Sequence, residues 1–425
     1  MENHQLRTGA GKAIIKIPDE FFPYENFTGI HDDIHIRIVI LESDKRVALV
    51  SLELTSLPGP EVELIKNLIN SISGILQDNI WICVTHSFSS PHFLPPFMLK
   101  DEVAKQKVVI FRKAIHKAVH KATDCALQQM RDAQIGINIG ECDVNVNRDV
   151  LTSKGWWIGS NPSGISDKTL TVIRIDEKGD SLSGDPIAIL FHYNVQSSIM
   201  DGSVMKDGAK EITSDLVGKA SNYIEKVYDG RVVAMFLIGT AGDQAPIKKA
   251  KNLSVNVDGE IQEEDLQEAG YDFITELGEV LGKEAINIAH EIKCMNETQI
   301  LTEKKEFSCP GQRMPVDIHS LQPTLTYEYL KDVDKKISIH AIRIGEIVLL
   351  GTQPELNVAT AIEIKKSYLC SRLLVMTMVN GGAKYMADTE SYDKVTYESM
   401  NSPFRKGSAE ILLENVLELL DQMKN

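Results

Sequence analysis

The chain has 425 residues, 43% hydrophobic and 25% charged, which are the proportions of a globular protein able to bury a large core. Lysine and arginine number 45 against 60 aspartates and glutamates, a net charge of −15 spread along the length that opposes non-specific binding to nucleic acid or anionic membranes. The longest apolar runs, 232–239 and 373–379, are too short to span a bilayer, and residues 1–12 contain no apolar leader segment.

In chain order, short β-branched segments predict strands over 13–17, 34–41 and 46–52, and Pro60 opens a helical pattern over 60–72. A strand over 79–84 precedes a long helix over 103–133, followed by strands over 134–138, 170–176 and 187–192. A helix over 211–227 and a strand over 231–238 lead into the acidic stretch 255–268, which reads as an exposed approach to a helix over 266–295. Residues 303–329, with Pro310, Pro315 and Pro323, read as an irregular excursion before strands over 337–344 and 347–352 and a last helix over 408–424. Strands interleaved with helices throughout predict an α/β fold, a mixed β-sheet core with flanking helices, in one domain over 1–425. Six cysteines (Cys83, Cys125, Cys142, Cys294, Cys309, Cys370) form no CxxC pair. They read as reduced thiols, which points to the cytoplasm.

Several segments could carry chemistry. Residues 80–92 run an apolar strand into a loop bearing His86 and His92, and the carboxyl ends of strands in α/β sheets open onto ligand crevices. A lone histidine there is usually a satisfied strand cap. Residues 187–194 repeat the pattern on His192, and two strand-end imidazoles from distant segments raise metal binding beside coincidence. Residues 232–246 end a strand on Gly239, Gly242 and Asp243, either a capped turn or a loop that a ligand approaches closely. Glu355, beyond the apolar run 347–352, is either a metal ligand or base, or an acid at a helix start. Tyr385, Tyr392 and Tyr397 follow in a polar stretch where tyrosines commonly pack. Trp156 and Trp157, the lysines at 248, 249 and 251, and His31 with His35 on one strand face read as packing or solvated groups.

Taken in this order, the segments resemble the catalytic domain of the neutral, non-lysosomal ceramidase family, from about Gly9 to about Glu414. Residues 9–18 with Gly29, His31 and Asp32 are similar to its opening, and Thr85-His86-Ser87 to its first histidine motif. Asn145-Val-Asn147-Arg148 resembles its Asn-x-Asn-Arg segment, residues 167–175 its next strand, and 213–215 a later turn. His192 takes the place of its second zinc histidine, Gly242-Asp243 falls in its Gly-Asp-x-Ser-Pro loop, and Pro354-Glu355 on its glutamate ligand. Tyr385 and Tyr397, twelve positions apart, match its paired tyrosines.

The resemblance implies one zinc ion held by His86, His192, Glu355 and Tyr385, with Arg148 and Tyr397 stabilising an oxyanion and Asp243 positioning the substrate. Two positions depart from the family. Ala245 stands where it has the serine nucleophile, and Phe88 where it has the second histidine of Thr-His-x-His. The expected activity is zinc-dependent hydrolysis of an amide or ester in a small molecule by metal-bound hydroxide, without stable membrane association. The alternatives are a metal- or ligand-binding pseudoenzyme and, third, a true ceramidase.

Overall fold

The computed structural model describes residues 5–94, 98–99, 101–179, 185–256, 258–295, 299–368 and 370–423; residues 1–4 and the expected helix end at Lys424 lie outside them. Along His35–Glu42, Ile36, Ile38 and Ile40 pack into one apolar cluster while Val39 and Leu41 pack into another. Alternation puts these sets on opposite faces, so the strand is covered on both sides. It belongs to an eight-stranded sheet in the order Val233–Ile238, Pro186–Tyr193, Thr169–Glu177, Arg131–Glu141, Arg7–Ile14, His35–Glu42, Arg46–Leu52, Ile80–Val84. The end pairs are parallel and the inner pairs antiparallel.

Helices Gly59–Ser73 and Glu102–Gln128 cover one half of the outer face, and Asp215–Val227 with Gly270–His290 the other. The inner face packs through Trp81, Leu190, Leu237, Leu349 and Met376 onto a second sheet, Ile300–Gln312, Lys331–Ile344, Ile347–Thr352 and Leu373–Met376. Helices Val358–Ser367 and Ser408–Gln422 back that sheet, completing a helix–sheet–sheet–helix stack. The fold is α/β with mixed sheets, as the element pattern implies.

Some elements differ from expectation. The stretch read as irregular opens with strand Ile300–Gln312, whose charged run at 303–306 lies exposed or half-buried and whose Pro310 falls at a register shift, where a strand tolerates proline. The acidic stretch contains a hairpin, Lys251–Val255 with Ile261–Asp265. The long helix stops at Gln128 because Arg131 already starts a sheet strand. Asn145–Thr152 and Gly155–Asn161 form a further hairpin joined by Gln244–Pro246. His31 precedes strand His35–Glu42, so His31 and His35 do not share a strand face.

The Gly9-Ala-Gly11 segment has a packing cause. Strand Arg7–Ile14 lies so close to helix Glu102–Gln128 that a Cβ at Gly9 would run into the Ala126 carbonyl oxygen and one at Gly11 into the Ala122 carbonyl oxygen. Gly11→Ala is therefore expected to lower stability by about 3 kcal/mol, the upper part of the overpacking range. A fall in the urea midpoint at unchanged slope reads it.

The architecture positions a site by bringing strand ends together. Ile80–Val84, Pro186–Tyr193, Val233–Ile238, Ile347–Thr352 and Leu373–Met376 all run into loops at their carboxyl ends, and cross-bonds tie these loops to one another. The Asn380 and Thr377 amides donate to the Ile82 and Ile238 carbonyls, and the Phe88 amide to that of Ser197.

Candidate functional site

His86 follows strand Ile80–Val84 with a left-handed backbone, φ 56°, uncommon for a side chain of its size. Such strain persists where the surroundings over-determine it, and it clusters at functional sites. Its Nδ1–H donates to the Thr55 carbonyl at 2.6 Å. A carbonyl can only accept, so Nδ1 carries a proton and Nε2 is the ring atom left for another partner. Nε2 is buried without a hydrogen bond and lies 3.2 Å from Glu355 Oε1. Glu355 and Tyr385 are brought together by a two-residue parallel pairing in which they are direct partners.

The third polar group is one the sequence did not single out. The chain leaving strand Pro186–Tyr193 delivers Gln196, whose Nε2 donates to Glu355 Oε1 at 2.7 Å. On its other side Gln196 Oε1 accepts from Arg148 at 2.8 Å. Arg148 Nε donates to Glu398 Oε1 at 2.8 Å, and the guanidinium lies 5.4 Å from the Tyr385 ring centre and 5.7 Å from that of Tyr397. The two tyrosine rings meet edge to face at 6.0 Å, with Trp157 against Tyr397. Burial pushes the Glu355 carboxyl up, but His86, Arg148 and Gln196 outweigh it and hold it below the usual carboxylate range. Burial and the neighbouring Glu355 push the Tyr385 phenol well above its ordinary value.

The structure thus brings together His86, Glu355, Tyr385, Arg148 and Tyr397. The expected second zinc histidine is a correction. His192 lies within strand Pro186–Tyr193 on the face of Ala188 and Leu190, turned to the layer between the sheets, and its Nε2–H donates to the Val375 carbonyl at 3.0 Å. Burial, with Lys365 nearby, lowers its pKa to about 4, as for a neutral core histidine. Among the described residues no group of three or more His, Cys, Asp or Glu side chains is placed to hold one metal ion. The two-imidazole, carboxylate and phenol set implied for zinc does not fit these residues, because a carboxamide already hydrogen-bonded on both sides meets Glu355 instead of a second ring.

Asp243 acts first as a joint. Its carbonyl accepts from the Arg148 amide and Oδ1 from the Val358 amide, each at 2.9 Å, and Oδ2 accepts from Asn147 Nδ2 at 3.2 Å. Burial pushes its carboxyl up to about 7. Ala245 is 4% exposed in the short strand Gln244–Pro246, with no group able to attack a carbonyl. Phe88 stands at 61° to the His86 ring, centres 4.6 Å apart. His92 is turned to Glu25 at 3.2 Å and does not take that place. The lysines at 248, 249 and 251 are engaged by Glu276, Asp201 and Glu263.

Sequence reasoning missed Gln196, Glu398 and Thr55. The polar run 194–198 directly after an apolar strand was the available signal for Gln196. Nothing in the sequence marks Glu398, 0% exposed at the start of a short helix, as the counter-ion of Arg148.

No known family profile and no curated protein sequence matches the chain. Solved structures do. Neutral ceramidase from Pseudomonas aeruginosa superimposes with a TM-score of 0.74 at 16% identity, covering 98% of this chain and 74% of that one. A ceramidase complexed with C2 gives 0.73 at 16% identity, over 98% and 75%. The chain has the neutral ceramidase fold.

Proposed function

We propose that this chain binds a small molecule on a hydrolase fold whose buried centre is a polar network joined through Gln196. Gln196 carries the reading, because one carboxamide satisfies both Glu355 and Arg148, at 2.7 and 2.8 Å, where the resemblance implies a metal ligand. Ala245, which cannot attack, and Phe88, apolar against His86, act in the same direction. A zinc-hydroxide route has no second imidazole to hold its ion, and the reading does not rest on one.

The ligand is a small molecule with an amide or ester group. Support comes from a cavity of about 290 Å³ beside the His86 loop, where Phe27, Phe88, Met200 and Tyr271 offer apolar walls and Glu25 and Glu211 polar ones. We assign the protein to the cytoplasm as a single domain, in keeping with six free cysteines; no described helix is long and apolar enough to cross a membrane.

A second reading, hydrolysis of a linear amide or ester, is favoured by one observation, the buried His86 Nε2 facing Glu355 at 3.2 Å. A proton shared there would make an acid–base couple. Cleavage of ceramide itself ranks third.

Purified protein incubated with soluble amides, esters and ceramide separates the readings. The expected result is saturable stabilisation by at least one compound, about 2.7 kcal/mol at a hundredfold excess over Kd, without release of amine, alcohol or acid. Turnover that disappears in Glu355→Gln would replace binding by hydrolysis.

A further inference from the structure

A cavity of about 680 Å³ opens between the end of strand Arg7–Ile14 and helix Glu102–Gln128. Ala114, Lys117, Ala118 and Lys121 line it from one face of the helix, since residues three and four apart are neighbours there. Lys12 and Lys16 stand on the strand side, with Ala13 and Ile14 between them. The buried alanines at 13, 114 and 118 give it short apolar walls.

Four ammonium groups around one cavity run against the chain's net charge of −15. Lys12 is held by Glu225. Among the described residues no carboxylate comes within ion-pair distance of Lys16, Lys117 or Lys121. Elsewhere Lys105, Lys248, Lys251 and Lys335 each lie 2.7 Å from one. The cavity also reaches His35, which is 7% exposed. The His35 amide donates to Glu53 Oε2 at 2.6 Å, and its Nδ1 lies 3.2 Å from the same oxygen. Burial would push the Glu53 carboxyl up, but Arg37 and His35 hold it at about 2. An ionised carboxylate can only accept, so Nδ1 carries a proton. Nε2, without a hydrogen-bond partner among the described residues, is the ring atom left for another group.

We infer that this cavity binds a small phosphate monoester, its phosphoryl oxygens accepting from His35 Nε2, Lys16, Lys117 and Lys121 and its apolar body resting on Ile14 and the alanines. A phosphate brings a charge of about −1.5 to −2 at neutral pH and three strong acceptor oxygens. Such a group matches several unpaired ammoniums where a single carboxylate leaves most of them unmatched. Glu53 offsets the charge of the imidazolium that donates from Nε2. The volume lies within the roughly 300–1,000 Å³ of small-molecule sites, which leaves room for a body of several carbons. The net charge opposes an anionic bilayer as the source of the phosphate, so the ester is a soluble one. This cavity shares no lining residue with the one beside the His86 loop and does not depend on the function proposed there.

Calorimetric titration of the full chain with n-hexyl phosphate, n-hexanol, and phosphatidylcholine vesicles containing phosphatidic acid tests the inference. Expected are one saturable hexyl phosphate site per chain and no binding of hexanol or vesicles. Affinity should fall at least about tenfold in the double variant Lys117→Gln, Lys121→Gln, whose exposed positions keep the fold. His35→Asn, which keeps a donor for Glu53 and removes Nε2, should weaken binding by a similar factor. Absence of a saturable hexyl phosphate site, equal binding of hexanol, binding to the vesicles alone, or unchanged affinity in the folded variants would overturn it.

Discussion

Arg37→Met is expected to destabilise the protein by about 3–5 kcal/mol, the range for removing one partner of a buried charge network. Arg37 is 2% exposed. Its Nε donates to Glu225 Oε1 at 2.8 Å, one terminal nitrogen to Asn222 Oδ1 at 2.9 Å, and the other to Glu53. These bonds join strand His35–Glu42 to helix Asp215–Val227 on the other half of the sheet. Methionine fills the volume but leaves two buried carboxylates with Lys12 and His35 as the basic side chains still facing them.

The pH dependence checks the cause. Burial alone would push the Glu53 carboxyl up, but Arg37 and His35 overcome it and hold the pKa at about 2. A depressed carboxyl contributes stability above its unfolded value, about 4.3, and loses it as pH falls towards the folded one. Without Arg37, burial wins and the sign reverses. The stability gap between wild type and Arg37→Met should therefore shrink between about pH 6 and about pH 3 in denaturant titrations. A gap constant with pH would mean that the loss is one of packing.

Gln196→His is expected to give the protein a zinc site. His86 Nε2 has no hydrogen-bond partner, Glu355 Oε1 lies 3.2 Å from it, and Tyr385 pairs with Glu355 across two short strands. Ligands about 2.0–2.2 Å from one ion are separated by distances of that order. An imidazole at 196 replaces the amide that now donates to Glu355, while Arg148 keeps Glu398. Elemental analysis should rise to about one zinc per chain and fall again when His86→Ala is added. Ala245→Ser should leave zinc content unchanged, since that position faces the Asn145–Asn147 strand segment.

The sequence carried most of the fold because its strands are buried on both faces and read as apolar runs. Arg46–Leu52, Ile80–Val84 and Ile347–Thr352 lie within one residue of their expected bounds. Partly exposed strands such as Ile300–Gln312, with four consecutive charged residues at 303–306 and a proline at 310, do not read as apolar runs. At the site, His86, Glu355, Tyr385, Arg148 and Tyr397 were legible from motif order, and the loops do converge. His192 misled because strand phase decides which face a side chain takes. It points between the sheets, and four residues more are needed to reach the centre at Gln196. The Arg148–Glu398 pair was invisible, since it joins residues 250 positions apart.

Zinc content of the wild-type protein, measured after reconstitution beside His86→Ala and Glu355→Ala, tests the central claim most directly. Rebuilding of the centre around Gln196 predicts metal far below one ion per chain, and the same in both variants. About one zinc per chain in wild type, lost in both variants, would contradict it and return His86, Glu355 and Tyr385 to the role of metal ligands.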